Sequence, residues 1–269
     1  MQTVQKGGFM HYSTKGGLTL KIPLNEIEKI EYILGTQPTE SILSAQKRTG
    51  ADFVINANFF NMKTGQTQGE VVDEGKVLST GMNPYGYGFI DKKTPVFSYK
   101  NNVNAIDFVG GYPCLLRNGK VDPATAKYLN GMDYDRKRGR TAIGMTNDSF
   151  VVRVIPDKTF YPRKTIPGMV AEMVTLGCVN AINLDGGGSS QFVSPDKTFN
   201  SGRNVDGFIC IWVKKQGIEP PKTTEYIVQK GDNLFKIANK VGSSVSKLAE
   251  LNGIKNVNLI FPGQRLKVR

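Results

Sequence analysis

The chain has 269 residues, with 35 Lys/Arg against 23 Asp/Glu for a net charge of +12, three cysteines and a single histidine, His11. That length holds one large domain, or a medium domain followed by a small one, and 39% hydrophobic residues suit a folded protein rather than a disordered one. One histidine excludes paired-histidine phosphodiester cleavage and argues against His-rich dinuclear metal centres, so hydrolysis has to run on carboxylates, amides, hydroxyls, Lys, Arg and backbone groups.

No apolar run approaches the ~18–20 residues of a membrane span, so no membrane insertion is expected. The first eight residues have no apolar core of signal-peptide length. The cysteines, Cys114, Cys178 and Cys210, are odd in number, fit no zinc spacing and lie in apolar surroundings, which reads as three buried thiols.

Residues 1–218 read as a strand-rich α+β domain of mixed α/β character. Thr39 is placed to cap a helix over residues 40–49, with Gly50 as its stop. A strand over residues 52–60 follows and ends in Asn56-Ala57-Asn58-Phe59-Phe60-Asn61, three amides able to donate and accept in a sugar or phosphate pocket. Gly69-Glu70-Val71-Val72-Asp73-Glu74-Gly75-Lys76 is Gly-rich, and Gly110-Gly111-Tyr112-Pro113 leads into a hairpin with an Asn118-Gly119 turn. The densest basic stretch, Asp135-Arg136-Lys137-Arg138-Gly139-Arg140, has no aromatic residues interleaved and no nucleic-acid motif around it, so nucleic acid is not the expected partner. Arg140-Thr141-Ala142-Ile143-Gly144-Met145 then opens a strand. A second helix begins near Pro167 and ends at Gly177, followed by an apolar strand over residues 179–184.

That strand runs into Asn183-Leu184-Asp185-Gly186-Gly187-Gly188-Ser189-Ser190. Three successive glycines are costly in backbone entropy and make sense where the chain turns with positive φ or lets a ligand touch the backbone. Successive N–H groups form an anion site, and Asp185 at its rim is placed as base, nucleophile or metal ligand. The Lys and spacing of a P-loop are missing.

Together these motifs resemble the phosphodiester glycosidase family over residues 39–213, with the Arg140 strand and the triple-glycine turn matching almost letter for letter, and Arg203-Asn204-Val205 resembling its Arg-x-Val element. Ala57 and Asn58 stand where the family pattern has two glycines. The resemblance implies cleavage of sugar-1-phosphodiesters at the glycosidic C–O bond. It implies catalytic roles for Asp185, Glu70 and Arg140, and substrate contacts by Asn56, Asn58, Gly110, Gly111, Gly186, Gly187, Gly188, Ser189 and Arg203.

Residues 219–224 contain a Pro-Pro pair and read as a short, semi-rigid linker. Residues 225–269 then give a βααβ pattern: an alternating strand, a helix with Leu234, Ile237, Ala238 and Val241 on one face, a second helix capped by Ser244, and a closing strand. Tyr226-x-Val228-x-x-Gly231-Asp232-x-Leu234, Leu248-x-x-Leu251-Asn252 and Asn258-Leu259-Ile260-x-Pro262-Gly263-Gln264-x-Leu266 resemble a LysM module, which implies binding of peptidoglycan or another N-acetylglucosamine glycan. In that family the groove lies between two loops, here Gly231, Asp232, Asn233 and Leu234 facing Asn258, Leu259, Ile260 and Pro262. Residues 222–269 carry nine Lys/Arg and three Asp/Glu, so the positive charge is densest in this tail and suits an anionic wall surface.

A phosphate monoester leaving group, with a second pKa of ~6, departs without strong acid help, so a cation and one carboxylate suffice and no cofactor is required. A divalent cation beside Asp185 belongs to an alternative, a phosphodiesterase attacking phosphorus; a second alternative is a non-catalytic phage adhesin. Joining the two modules points to wall teichoic acid or a similar glycosyl-phosphate polymer, and to an extracellular, wall-associated protein released by lysis or carried on a virion.

Overall fold

The computed structural model describes residues 11–36, 38–81, 85–122, 136–214, 225–241, 243–254 and 256–268. The chain divides into two compact units, Met1–Lys214 and Lys215–Arg269.

Among the described residues the first unit has three larger antiparallel sheets and a two-stranded pair, Phe59–Phe60 with Thr67–Gln68. A seven-stranded sheet runs His11–Ser13, Leu18–Pro23, Ser149–Ile155, Arg140–Met145, Asn180–Asn183, Cys114–Arg117 and Lys120–Val121 from edge to edge. A five-stranded sheet has the order Thr198–Phe199, Phe192–Val193, Phe53–Asn56, Gly207–Val213, Ile27–Leu34, and another the order Pro95–Tyr99, Tyr85–Phe89, Asp107–Gly111, Val71–Asp73, Lys76–Ser79. Every pairing among the described strands of these sheets is antiparallel, so the two helix–glycine–strand units do not form parallel crossovers. The domain is therefore α+β rather than mixed α/β.

One core lies between the sheets and takes alternate residues from all three: Leu18, Leu20 and Ile22; Phe53 and Ile55; Tyr87 and Phe89; Phe150, Val152 and Val154. In two of the sheets, intervening residues face outward under a helix. Val151, Ile155, Ala142 and Ala181 meet Met169, Val170 and Met173 of the helix Ile166–Thr175. Val54, Phe208 and Cys210 meet Ile42 and Ala45 of the helix Ile42–Thr49. Strands buried on both faces explain why these segments are almost continuously apolar instead of alternating.

The helix caps refine the sequence reading. The first helix is capped by Ser41, whose side chain accepts from Ser44 N, not by Thr39, and Gly50 closes it in the left-handed conformation at φ 67°. Glu40 stays outside the helix, bridged to Val205 and paired with Arg48 at 2.7 Å. The second helix has Thr165 as cap and Pro167 in its first turn. All three cysteines are buried free thiols, and burial pushes each up to about 12, which leaves them inert as nucleophiles.

In the second unit, Glu225–Ile227 pairs antiparallel with Arg265–Lys267, and the helices Leu234–Val241 and Val245–Leu251 lie between them in sequence. Val228, Leu234, Ile237, Ala238, Val241, Leu248, Leu266 and Val268 form its core. Ser244 caps the second helix by accepting from Lys247 N. Among the described residues no helix is long and apolar enough to cross a membrane.

Candidate active site

The strand Asn180–Asn183 pairs with Arg140–Met145, which brings Asp185 beside the start of the arginine-led strand. The chain is then pinned through a sharp bend. Leu184 N donates to Thr141 O at 2.8 Å, Asp185 N to Ala57 O at 3.1 Å, and Gly187 N to Gly139 O at 2.8 Å. Gly187 has φ 57°, the left-handed region where a side chain is strained. A Cβ on Gly186 would stand 3.0 Å from Gly139 O, and one on Gly188 would stand 2.7 Å from an Arg203 guanidinium nitrogen. Turn geometry thus favours glycine at 187 and close backbone approach favours it at 186, whereas at 188 the close neighbour is the movable end of a side chain. Gly188 N has no acceptor among the described residues, so this amide is available to a ligand.

Asn56 holds the bend shut. Its Nδ2 donates to Asp185 O at 2.7 Å, while its Oδ1 accepts from Gln191 N at 3.2 Å and from Thr141 Oγ1 at 2.8 Å. One buried amide thus fixes both ends of the 185–191 segment, and its capacity is spent on protein groups.

The bend opens on a cleft of about 370 Å³ lined by Asp185, Gly186, Gly187, Gly188, Arg203, Arg140, Arg138, Asn183, Tyr112, Pro113, Phe59, Met62 and Ile166. Asp185 is the carboxylate of that lining. Burial pushes it up to about 6, opposed by hydrogen bonds from the Ser189 hydroxyl and the Gly186 amide (2.8 Å) and by the charge of Arg203. Ser189 is itself buried and its Oγ accepts from Arg203 Nη1 at 3.3 Å, so one hydroxyl links carboxylate and guanidinium. Among the described residues no group of three or more His, Cys, Asp or Glu gathers as a metal site.

Several expected contacts lie elsewhere. Asn56 and Asn58 do not line the cleft; Asn58 is buried, donating to Asp206 Oδ2 at 2.8 Å and accepting from Tyr32 OH at 3.0 Å. Glu70 is absent from the lining, and its carboxylate instead accepts from Asn101 N at 3.0 Å. Gly110 and Gly111 are buried strand residues. A Cβ on Gly111 would stand 2.6 Å from Asn183 O, so close strand packing requires this glycine, and the next residues, Tyr112 and Pro113, form the cleft wall. Ser189 sits behind the carboxylate rather than in the wall. Arg140 is in the lining, but its guanidinium donates to Lys164 O at 3.1 Å and Arg136 O at 3.0 Å, so part of its fork holds backbone. Arg138, Asn183, Phe59, Met62 and Ile166 were not singled out in the sequence; Arg138 lay in the basic stretch and Asn183 in the glycine motif, but nothing marked Met62 or Ile166.

A larger cleft of about 470 Å³ on the same unit is lined in part by Lys29, Glu31, Asp73, Glu74, Lys92 and Trp212. Lys92 pairs there with Glu31 at 3.1 Å and with Glu74 at 3.0 Å, and no expected site residue lines it.

In the second unit the chain just before the first expected groove loop meets the chain just after the second, with Gly263 N donating to Val228 O at 2.7 Å. Leu234 is only 1% exposed and belongs to the core, not the groove. Asp232 and Asn233 serve the turn: Asp232 Oδ2 accepts from Gln229 N and Tyr226 OH, and Asn233 Oδ1 accepts from Lys236 N as the helix cap. Ile260 packs partly on the core, whereas Gly231, Asn258, Leu259 and Pro262 are exposed, along with Phe235 and Phe261.

The phosphodiester glycosidase family model matches residues 49–212, and the LysM domain model matches residues 226–269. The chain belongs to the phosphodiester glycosidase family and carries a LysM domain after it. It is 28% identical over 169 residues to N-acetylglucosamine-1-phosphodiester alpha-N-acetylglucosaminidase of Mus musculus, covering 54% of this chain and 32% of that protein. It is 29% identical over 192 residues to the SPbeta prophage-derived uncharacterized protein YomE of Bacillus subtilis, covering 65% of this chain and 29% of that protein. The chain thus spans about a third of the length of these relatives. The catalytic domain of zebrafish N-acetylglucosamine-1-phosphodiester alpha-N-acetylglucosaminidase, auto-inhibited by its pro-peptide, has the same fold, with a TM-score of 0.59 at 18% identity over 76% of this chain and 78% of that one.

Proposed function

We propose that the protein hydrolyses the glycosidic C–O bond of sugar-1-phosphodiesters in a cell-wall polymer, wall teichoic acid first, while the LysM domain holds it to peptidoglycan. The observation that carries this reading is Asp185 at about pKa 6, held by the glycine bend in a cleft whose other charged groups are arginines. The guanidinium of Arg203 and the Gly188 amide meet the phosphate; the arginine also balances charge developing on the leaving oxygen. That leaving group needs no strong acid. Asp185, ionised above pH ~6, stabilises the cationic sugar or takes the proton of the attacking water. With Glu70 outside the cleft, one carboxylate carries this role, and Arg140 shapes the arginine segment more than it clamps phosphate.

The relative named for N-acetylglucosamine-1-phosphodiester cleavage supports the reaction class, and the LysM domain supports a wall location. The test is NMR of wall polymer after incubation with the protein. The reading expects a free reducing sugar, with phosphate left on the other fragment. Phosphate retained on the sugar, or oxygen from isotope-labelled water found in the phosphate instead of at the anomeric hydroxyl, would establish attack at phosphorus, and wall binding without either product would establish an adhesin.

A further inference from the structure

Three segments meet at one edge of the cleft. Residues 136–140 pair with residue 164 through Arg138 N to Lys164 O at 3.1 Å and Lys164 N to Arg138 O at 3.0 Å. Gly139 N donates to Asp157 Oδ1 at 2.9 Å, tying in residues 157–164. Lys197 lies over the Tyr161 ring at 5.6 Å, and Tyr161 packs edge-on against Phe199, which brings in residues 196–203. Arg138, Arg140 and Arg203 from two of these segments are in the cleft wall, so the surface is continuous with the site.

The charge of the unit is gathered here. These three segments hold nine Lys/Arg and two Asp/Glu. Residues 1–221 as a whole carry only +6, so the rest of them is close to neutral. Both acids are engaged: Asp157 by Gly139 N and by Arg163 at 3.7 Å, Asp196 by the hydroxyls of Ser194 and Thr14. Lys164 is paired with Glu172 at 2.8 Å, whereas Lys137, Lys158 and Lys197 are exposed. A site for one phosphodiester needs the guanidinium and amide already in the cleft. A basic strip running out of it has no use for a substrate with a single phosphate.

We infer that this strip is a track for successive phosphates of a polyphosphodiester chain, so that the substrate is bound as a polymer whose scissile unit enters the cleft while its neighbours lie along residues 136–140, 157–164 and 196–203. This rests on the glycosidase reading for what happens in the cleft, but the track itself is a binding property. A flexible chain of regularly spaced anions displaces counterions from such a strip, so affinity grows with chain length and falls steeply with salt.

The test uses the full chain, a poly(glycerol phosphate) oligomer of about ten units as probe and glycerophosphoglycerol as its single-phosphodiester counterpart, titrated at about 50 and 200 mM salt. The wild type is expected to bind the oligomer on the order of tenfold more tightly than the single unit at low salt, and to lose most of that advantage at high salt. Lys137→Glu with Lys158→Glu should abolish the advantage. Lys230→Glu with Lys247→Glu, in the basic LysM domain, should leave it. Turnover of a small sugar-1-phosphodiester should be unchanged in both variants. Equal affinity for oligomer and single unit, or loss of the advantage only in the LysM variant, would overturn the track while leaving the glycosidase reading intact. Oligomer binding that follows the expected pattern without turnover of any sugar-1-phosphodiester would support the track and sink the glycosidase reading.

Discussion

Replacing Asp185 with Asn should remove sugar release and at the same time stabilise the protein. Burial raises this carboxyl from 3.8 to about 6, a shift of about two pKa units, or about 3 kcal/mol at 1.36 kcal/mol per unit. The sign follows from the direction. A folded pKa above the unfolded one means the folded state favours the neutral acid. That stability is fully present below about pH 4 and is lost as pH rises through 6. Above pH 6 the wild type therefore holds a charge its surroundings disfavour, whereas an amide of the same shape does not. The variant should gain up to about 3 kcal/mol at pH 8, roughly 6–12 °C in Tm for a unit of this size, and the gain should shrink towards zero near pH 4. Scanning calorimetry of both proteins across that range measures it. An Asn variant no more stable than wild type at pH 8 would refute the claim that Asp185 is held against its ionisation by burial.

The same group should set the pH dependence of turnover: kcat/KM rises with pH through about 6 if the carboxylate is the working form, and Arg203→Ala, which removes a charge that lowers the pKa, should move that limb to higher pH. Asn56→Ala strands Asp185 O, Gln191 N and the Thr141 hydroxyl, and should cost about 2–3 kcal/mol, a Tm drop of about 4–12 °C by thermal unfolding. Gly188→Ala meets only the flexible end of Arg203, so kcat/KM should fall with Tm nearly unchanged, whereas Gly111→Ala meets Asn183 O and Ile182 and should give little soluble folded protein. In the LysM domain, Leu234→Ala should destabilise the core by about 2–5 kcal/mol, read as an early-melting domain, while Phe261→Ala should leave melting unchanged, with peptidoglycan pelleting as the test of whether that exposed ring contacts glycan.

Local chemistry made much of this protein readable from its sequence. The helix stops at Gly50 and Gly177, the strand Arg140–Met145, the apolar face of the helix Leu234–Val241, three buried thiols and the glycine bend beside Asp185 all follow from spacing and residue type over a few positions. Tertiary structure decided what those groups face. Asn56 and Asn58 look alike in a polar cluster, yet each buried amide bonds a different partner, 129 or 148 residues away in the chain. Glu70 and Asp185 are both acids beside glycines, but only the bend that pairs with Arg140's strand turns its carboxyl into the cleft. The basic stretch at 136–140 is only a charge run in the sequence; the bridge between Arg138 and Lys164 sets it against 157–164, and Tyr161 in turn meets Lys197 and Phe199. Sequence patterns fix conformation through near neighbours; the direction of a side chain and the charges it meets depend on contacts between distant strands, which short-range patterns do not encode.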